Sequence, residues 1–269
     1  MILLLITGEP IIMHIHTIFG VSLAWVIALP FLACIAGFFD AIAGGGSLLT
    51  IPVLLLTGLD PVTAIATNKF QGMFGAAAAS IKFTRAKLID FRAIAPMLVM
   101  AIIGAILGAL IVQHISTYRL MQAVPIMLIS IALYLLLVKN FGASENKPKL
   151  SQLTFCLTVP LGIGLWDGIM GPATGSLFAL AFTVLLGKTL LKATAHAKFL
   201  NLTTNLSAVL VFTLSGHILW LLGFLMAFGV FIGGWLGAHA AIRVGSGLIR
   251  WLLVIISVAM SLRLAWQYW

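Results

Sequence analysis

Long apolar runs without charged residues divide the 269-residue chain into ten predicted membrane segments. The runs are continuous rather than alternating, which favours α-helices over membrane β-strands. The segments lie at 18–39, 47–59, 61–81, 94–113, 119–138, 152–170, 175–187, 190–213, 218–240 and 248–267. The pattern therefore predicts an all-α polytopic membrane protein of about ten helical segments.

Two of these segments, near 47–59 and 175–187, are short and discontinuous. At about 1.5 Å per residue, neither covers a hydrocarbon core of roughly 30 Å as a regular helix. Their lengths are compatible both with crossing and with re-entering the membrane. Short segments at matching positions in two halves indicate where a transporter binds its substrate.

The second half of the chain repeats the first. One constant offset along the sequence joins Ser47 with Ser176, Lys69 with Lys198, Gly104 with Gly233 and Gly108 with Gly237. Asp40 aligns with Asp167 once a two-residue insertion is allowed in 171–175. Two membrane lysines and two membrane aspartates in register are not expected by chance, so we predict an internal duplication. It gives an N-terminal segment at 1–17, repeat 1 at 18–138, a polar linker at 139–151 and repeat 2 at 152–269.

The composition agrees with a membrane protein, since 62% of the residues are hydrophobic and 8% are charged. A soluble domain has about 25% charged residues. The net charge of +9 lies mostly in the predicted loops, as the positive-inside rule expects, so nucleic acid is not a predicted partner. Cys34 and Cys156 both lie in apolar runs, and we predict no disulfide, metal site or cofactor.

The same rule predicts how the repeats are oriented. If all ten segments cross, the loops after segments 3, 5, 7 and 9 share one side and carry most of the lysines and arginines. If the two short segments re-enter instead, the basic loops divide almost evenly between the two sides. The first arrangement is preferred, and it places both termini outside. Because each repeat then has five segments, an odd number, the repeats are inverted.

Glycine-rich turns precede both short segments. Gly44, Gly45 and Gly46 lead into Ser47, and the second turn ends with Thr174, Gly175 and Ser176. Open backbone N–H groups at a helix start favour anions, and the two serines are expected to cap the following helices. The alternative interpretation is a tight interhelical turn in which glycine allows close packing.

Lys69 and Lys198 lie inside apolar segments, where each costs roughly 2.5–3.5 kcal/mol on insertion scales. They are expected to contact a substrate, or to serve structurally by pairing with Asp40 and Asp167 or by reaching a helix end. The two aspartates are candidates for ion pairs or for proton transfer.

Neutral polar residues lie near these four charged residues in the sequence. They are Thr50, Asn68, Gln71, Thr174, Asn201 and Asn205. Lys198 and Asn201, at i and i+3, are expected on one helix face. Lys69 and Gln71 point about 200° apart on a helix and are not expected to touch one ligand.

The stretch from Gly37 to Ser47 followed by Thr67-Asn68-Lys69, with its repeat near Asp167 and Lys198, resembles the TauE/SafE family. This is the family of sulfite exporters, or 4-toluene sulfonate uptake permeases, and the resemblance covers nearly the whole chain. The second half departs from the motif, since 171–175 is longer and His196-Ala197 replaces Thr-Asn before Lys198. The resemblance implies an inner-membrane permease for sulfite, sulfonates or related organosulfur or carboxylate anions.

The sequence thus predicts a secondary transporter of a small anion in the inner membrane, with proton coupling left open. Lys69 and Lys198 would neutralise the anion, and the glycine turns would donate hydrogen bonds. An enzyme is not predicted, because HExxH, GxSxG and clustered acids are absent from the sequence. The alternatives are a passive anion channel and a membrane subunit that does not transport.

Overall fold

The computed structural model describes residues 17–18, 21–116 and 147–244, with the single positions 119, 126, 129, 130, 133, 145, 258, 262 and 266. A two-residue antiparallel pair, β1 (Thr17–Ile18) with β2 (Val21–Ser22), comes first. The rest of the described chain forms eight helices. They are α1 Leu23–Ala43, α2 Ser47–Leu56, α3 Pro61–Arg85, α4 Phe91–Val112, α5 Gln152–Ile169, α6 Thr174–Val184, α7 Leu190–Leu214 and α8 Trp220–Val244.

Eight of the ten predicted segments match these helices one to one. The other two, 119–138 and 248–267, lie outside the described ranges except for single positions. Helix ends differ from the ends of the apolar runs: α3 continues to Arg85 rather than stopping at 81, and α4 begins at Phe91 rather than 94. The reason is that Asp90 caps α4 by accepting the N–H groups of Arg92 and Ala93, and long basic side chains are good helix formers.

Five of the described helices are long and apolar enough to span a membrane: α1, α4, α5, α7 and α8. The chain is therefore a multi-pass membrane protein. The two short segments are real helices of 10 and 11 residues, α2 and α6. Each is about 15 Å long, half of a hydrocarbon core.

Glycines let two pairs of helices pack with their backbones in contact. A Cβ added at Gly233 or Gly237 of α8 would overlap backbone carbonyls of α1, those of Cys34 and Phe38. A Cβ at Gly104 or Gly108 of α4 would overlap the carbonyls of Leu161 and Leu165 in α5. In each pair both residue numbers increase by four, so α1 runs parallel to α8 and α4 runs parallel to α5. Small residues spaced four apart thus form the contact face of each pair.

The turns of the first half recur in the second at the offset found in the sequence. Left-handed backbone conformations occur at Gly44 and Gly171, at Gly58 and Gly187, and at Lys87 and Gly216. The last two pairs share the offset that joins Lys69 with Lys198, and the first pair falls two positions short of it because the insertion follows Gly171. One further left-handed residue, Ala173, lies inside that insertion.

The two helices that carry the membrane lysines, α3 and α7, run antiparallel. Gly72 of α3 lies near the Asn205 side chain of α7, whereas Arg85 near the end of α3 shares a groove with Phe199. Consequently α2 and α6, which lead into the starts of α3 and α7, finish at opposite ends of the bundle.

Candidate substrate site

The N-terminal ends of α2 and α6 meet inside the bundle. Gly44 lies against the backbone of Gly175 and Ser176, so closely that a Cβ would overlap it. Ser47 Oγ donates a hydrogen bond of 2.9 Å to the Gly171 carbonyl, and Ser176 Oγ donates to the Ala43 carbonyl. Each helix start is thereby held by the turn that precedes the other. Both partial positive charges point into one region of the interior.

The expected capping role of Ser47 and Ser176 is wrong. Gly46 precedes α2 and Ala173 precedes α6, and neither helix start has a side-chain cap. Ser47 and Ser176 lie within the first turns of their helices, where their hydroxyl groups act as donors to the opposite turn. The close approach of the two turns offers carbonyl acceptors that a single isolated helix start would lack.

Two crossed ion pairs lie at this junction. Lys69 Nζ of α3 is 2.5 Å from Asp167 Oδ1 of α5, and Lys198 Nζ of α7 is 2.8 Å from Asp40 Oδ2 of α1. Each lysine therefore pairs with the aspartate of the other half of the chain. Both lysines are fully buried, so their aliphatic stems do not reach the surface of the bundle. The alternative that they extend to a helix end is wrong.

The two pairs differ in exposure and in hydrogen bonding. Asp167 is 1% exposed, and its Oδ1 also accepts a 2.6 Å bond from Thr174 Oγ1. Its Oδ2 is buried without a hydrogen-bond partner among the described residues. Asp40 is 17% exposed and accepts the Gly46 N–H, while Lys198 Nζ contacts Asp40 without hydrogen-bond geometry. The Lys198–Asp40 pair is therefore the looser of the two.

A buried polar wall continues from Lys69 on one side. Asn68 Oδ1 accepts hydrogen bonds from Thr50 Oγ1 at 2.5 Å and from Gln71 Nε2 at 2.9 Å. Gln71 thus bonds to the residue one helical turn before it, and Lys69 and Gln71 both line one cavity although their positions lie about 200° apart on α3. Gln71 Oε1 is left without a partner among the described residues.

A small cavity lies where these groups converge, and its volume is about 30 Å³. That is room for a water molecule or two, which each need about 10–15 Å³ by this measure. Of the predicted site residues, seven line it: Asp40, Gly46, Ser47, Asn68, Lys69, Asp167 and Asn201. The others surround it without lining it: Gly44, Gly45, Thr174, Gly175, Ser176 and Lys198.

Four lining residues were not named as candidates from the sequence: Ala36, Gly72, Gly171 and Val230. Gly72 follows Asn68 by one helical turn, so its place on the same face was readable from the spacing. Ala36 and Val230 carry no chemical signal in the sequence, because they line the cavity only through the packing of α1 and α8 on α3.

The departure of His196 from the family motif has a structural explanation. In the first half, Thr67 Oγ1 accepts a 3.1 Å hydrogen bond from the Leu219 N–H, just before α8 begins. In the second half, His196 Nε2 accepts a 3.2 Å bond from the Asp90 N–H, just before α4 begins. Thr67 aligns with His196, and Asp90 aligns with Leu219, at the same offset that relates the two repeats. His196 therefore has the same structural role in the second half as Thr67 has in the first. It does not line the cavity.

The described part of the bundle contains no group of three or more histidine, cysteine or acidic side chains that could hold a metal ion. A multi-pass bundle with paired half-length helices, buried lysines and a polar internal cavity is the architecture of a membrane transporter. The chain belongs to the TauE/SafE family, since the family model described as "Sulfite exporter TauE/SafE" matches residues 29–264.

Several curated relatives match the chain over most of their length. The chain is 41% identical over 252 residues to "Probable membrane transporter protein YfcA" of Escherichia coli K12, covering 94% of both chains. It is 42% identical to "Probable membrane transporter protein ORF9" of Sinorhizobium sp, covering 86% of this chain and 89% of that one. A "Probable membrane transporter protein" of Haemophilus influenzae is also 42% identical, with coverage of 87% and 91%.

Proposed function

We propose that this protein is a secondary carrier of a small anion, in which two inverted five-segment repeats enclose one central site. The substrate class is sulfite, a sulfonate or a related organosulfur or carboxylate anion. The observation that carries the proposal is the pair of crossed Lys–Asp contacts beside the converging ends of α2 and α6.

The directions of the helices support the inverted topology. Phe70 of α3 contacts Trp220 of α8, and Lys82 further along α3 contacts Trp235, so α3 is parallel to α8 and to α1. The Asp90–His196 contact puts the starts of α4 and α7 together, so α4, α5 and α7 run the other way. Helices α1, α3 and α4 therefore run antiparallel to their counterparts in the second half, which are α5, α7 and α8.

The balance of charge in the site supports an anionic substrate coupled to a proton. Lys69, Lys198, Asp40 and Asp167 sum to zero, and two helix starts add partial positive charge. An incoming monovalent anion displaces a carboxylate from its lysine and leaves the site with one excess negative charge. Uptake of one proton by an aspartate cancels that charge, which makes co-transport of the anion with a proton the favoured mechanism.

The asymmetry of the pairs suggests which one opens first. Asp40 is the more exposed carboxylate, and Lys198 makes no hydrogen bond to it. An anion that displaces Asp40 from the edge of the cavity therefore gains access to Lys198 behind it. Release of Asp40 loosens its bond to the Gly46 N–H at the start of α2, which offers a route from binding to helix movement.

Flux measurements in proteoliposomes test the proposal. The purified protein is screened by thermal shift against sulfite, thiosulfate, sulfonates and short carboxylic acids, and then assayed for uptake of those that bind. We expect saturable uptake that is accelerated by unlabelled substrate on the opposite side and by an inward proton gradient. Uptake that is linear in concentration and shows no such acceleration would indicate a channel, and no flux of any anion would indicate a subunit that does not transport.

A charge-neutral variant tests the role of the lysines. Lys69→Ala/Asp167→Ala removes a whole ion pair, so it avoids leaving a buried unpaired carboxylate. Lys192→Ala is the matched control, because Lys192 pairs with Glu145 at the exposed end of α7. We expect the double variant to fold and lose flux while the control keeps it. Undiminished flux in the double variant overturns the assignment of Lys69.

A further inference from the structure

An apolar groove opens on the outer surface of the bundle where α3, α4 and α7 meet. Its volume is about 460 Å³, and its walls are Ala77, Ile81, Phe91, Phe199 and Leu202. Ile81 is 42% exposed and Phe91 is 47% exposed, so the groove faces outward, where lipid surrounds a membrane bundle. It is separate from the small cavity around Lys69, and the two share no lining residue.

Cationic groups gather at one end of this groove. Arg85 lines it, and its Cζ lies 5.5 Å from the ring centre of Trp235 on α8. Lys82 Nζ lies 4.2 Å from the same ring centre. Within the described residues, neither cation forms a salt bridge with a carboxylate. Two unpaired cations held on one indole repel each other, so an anion that bridges them is stabilised there.

The cation and the apolar walls belong to one groove. Arg85 and the apolar side chains line it together, and Lys82 lies beside Arg85 on the same indole. The groove therefore offers positive charge next to an apolar surface.

We propose that this groove binds an anionic glycerophospholipid. Its phosphate contacts Arg85 and Lys82, and one acyl chain lies along Ile81, Phe199 and Leu202. A zwitterionic lipid fits the apolar walls equally well. It gains less at the headgroup, because its own cation offsets the attraction of its phosphate.

The location gives such a lipid a way to influence transport. The groove is bounded by α3 and α7, which carry Lys69 and Lys198 at the central site. A chain wedged between these helices restrains their relative movement. The binding itself, however, depends only on the surface of the bundle and does not require any particular substrate.

Lipid binding is tested on delipidated full-length protein by native mass spectrometry and thermal shift. The probes are phosphatidylglycerol, phosphatidylcholine with the same acyl chains, and glycerol 3-phosphate as a headgroup without chains. We expect phosphatidylglycerol to bind about fivefold more tightly than phosphatidylcholine, and glycerol 3-phosphate to have no effect. Equal binding of the two lipids, or an equal effect of glycerol 3-phosphate, overturns the proposal.

Two variants locate the site. Arg85→Ala removes the cation and is expected to abolish the preference for phosphatidylglycerol, whereas Ala77→Phe fills the groove and is expected to weaken both lipids. Lys192→Ala, which removes a charge at the same end of the bundle but outside the groove, is the control and should retain the preference. If Arg85→Ala keeps the preference, or if Lys192→Ala loses it equally, the anionic lipid binds elsewhere.

Discussion

Lys69 Nζ on α3 lies 2.5 Å from Asp167 Oδ1 on α5, and both side chains are 1% exposed. This contact joins residues 98 positions apart, and Lys198 with Asp40 forms its counterpart across the two halves. In the folded protein, each lysine is therefore neutralised by an aspartate of the other half. The two halves have to be assembled before the buried charges are paired, which links the integrity of the site to the fold.

The crossed pairing predicts strong coupling between Lys69 and Asp167. Removing either partner leaves a buried unpaired charge, which costs about 3–5 kcal/mol. We expect Lys69→Ala and Asp167→Ala each to lower the thermal unfolding midpoint in detergent, and the double variant to recover most of the loss. Lys69→Ala/Asp40→Ala, which combines residues of different pairs, should recover much less. Additive losses in Lys69→Ala/Asp167→Ala would show that the contact does not hold in the folded protein.

The turn before α6 approaches Lys69 so closely that a side chain at Gly171 would displace the lysine ammonium group. A Cβ at Gly171 would overlap Lys69 Nζ and lie 2.6 Å from Asp167 Oδ1. Its φ of 82° adds backbone strain for any other residue. We therefore expect Gly171→Ala to abolish flux and substrate-induced thermal stabilisation.

Gly58→Ala is the matched control for this change. Gly58 has a comparable φ of 88°, but a Cβ there meets nothing within 4 Å. Gly58→Ala should lower the free energy of unfolding only by the cost of the strained backbone, of order 1 kcal/mol. Its flux should be unchanged. If Gly171→Ala and Gly58→Ala reduce flux equally, then backbone strain rather than the contact with Lys69 causes the loss.

Inverted repeats predict opposite sidedness for two equivalent connections. Ala86 follows α3 and Ser215 follows α7, they align at the offset of the duplication, and both are exposed. With Cys34 and Cys156 replaced by alanine, we introduce Ala86→Cys and Ser215→Cys separately. A membrane-impermeant thiol reagent added to intact cells should label the cysteine at 215 and spare the one at 86, which lies in a basic loop. Labelling of both from one side would establish parallel repeats.

The positions of the helices and of the membrane charges could be predicted from the sequence, but the pairing of those charges could not. The two short helices and the buried membrane charges were readable, because motifs recur at a constant offset and charges in apolar segments are rare. The direction of pairing was not readable, since Lys69 could have met Asp40 in its own half. It depends on α5 packing against α4 rather than on any local pattern.

The roles of individual polar groups were also beyond the sequence. Ser47 and Ser176 have the residue type of helix caps, but they lie within the first turns of α2 and α6 and donate hydrogen bonds to carbonyls of the opposite turn. Gln71 and Lys69 line the same cavity although their positions lie about 200° apart on α3. In both cases tertiary packing, rather than the local pattern, decides which groups the side chains face.

The free oxygen of Asp167 predicts a variant that uncouples transport from protons. Asp167 Oδ1 accepts hydrogen bonds from Lys69 Nζ and Thr174 Oγ1. Its Oδ2 is buried without a hydrogen-bond partner in the described part of the bundle. Asp167→Asn can keep the oxygen that Lys69 and Thr174 need and place its NH₂ group where no hydrogen bond is lost. The site then permanently resembles one in which the aspartate has taken up its proton.

We therefore expect Asp167→Asn to retain exchange of labelled for unlabelled anion and to lose accumulation driven by a pH gradient. Asp40→Asn is the comparison, because its NH₂ group would either face Lys198 Nζ, 2.8 Å from the replaced oxygen, or give up the Gly46 N–H. Asp40→Asn should therefore reduce both the exchange of labelled for unlabelled anion and the accumulation driven by a pH gradient. Both activities are measured in the same proteoliposomes. Accumulation that persists in Asp167→Asn would exclude this carboxylate as the coupling group, and loss of exchange would assign it to substrate binding instead.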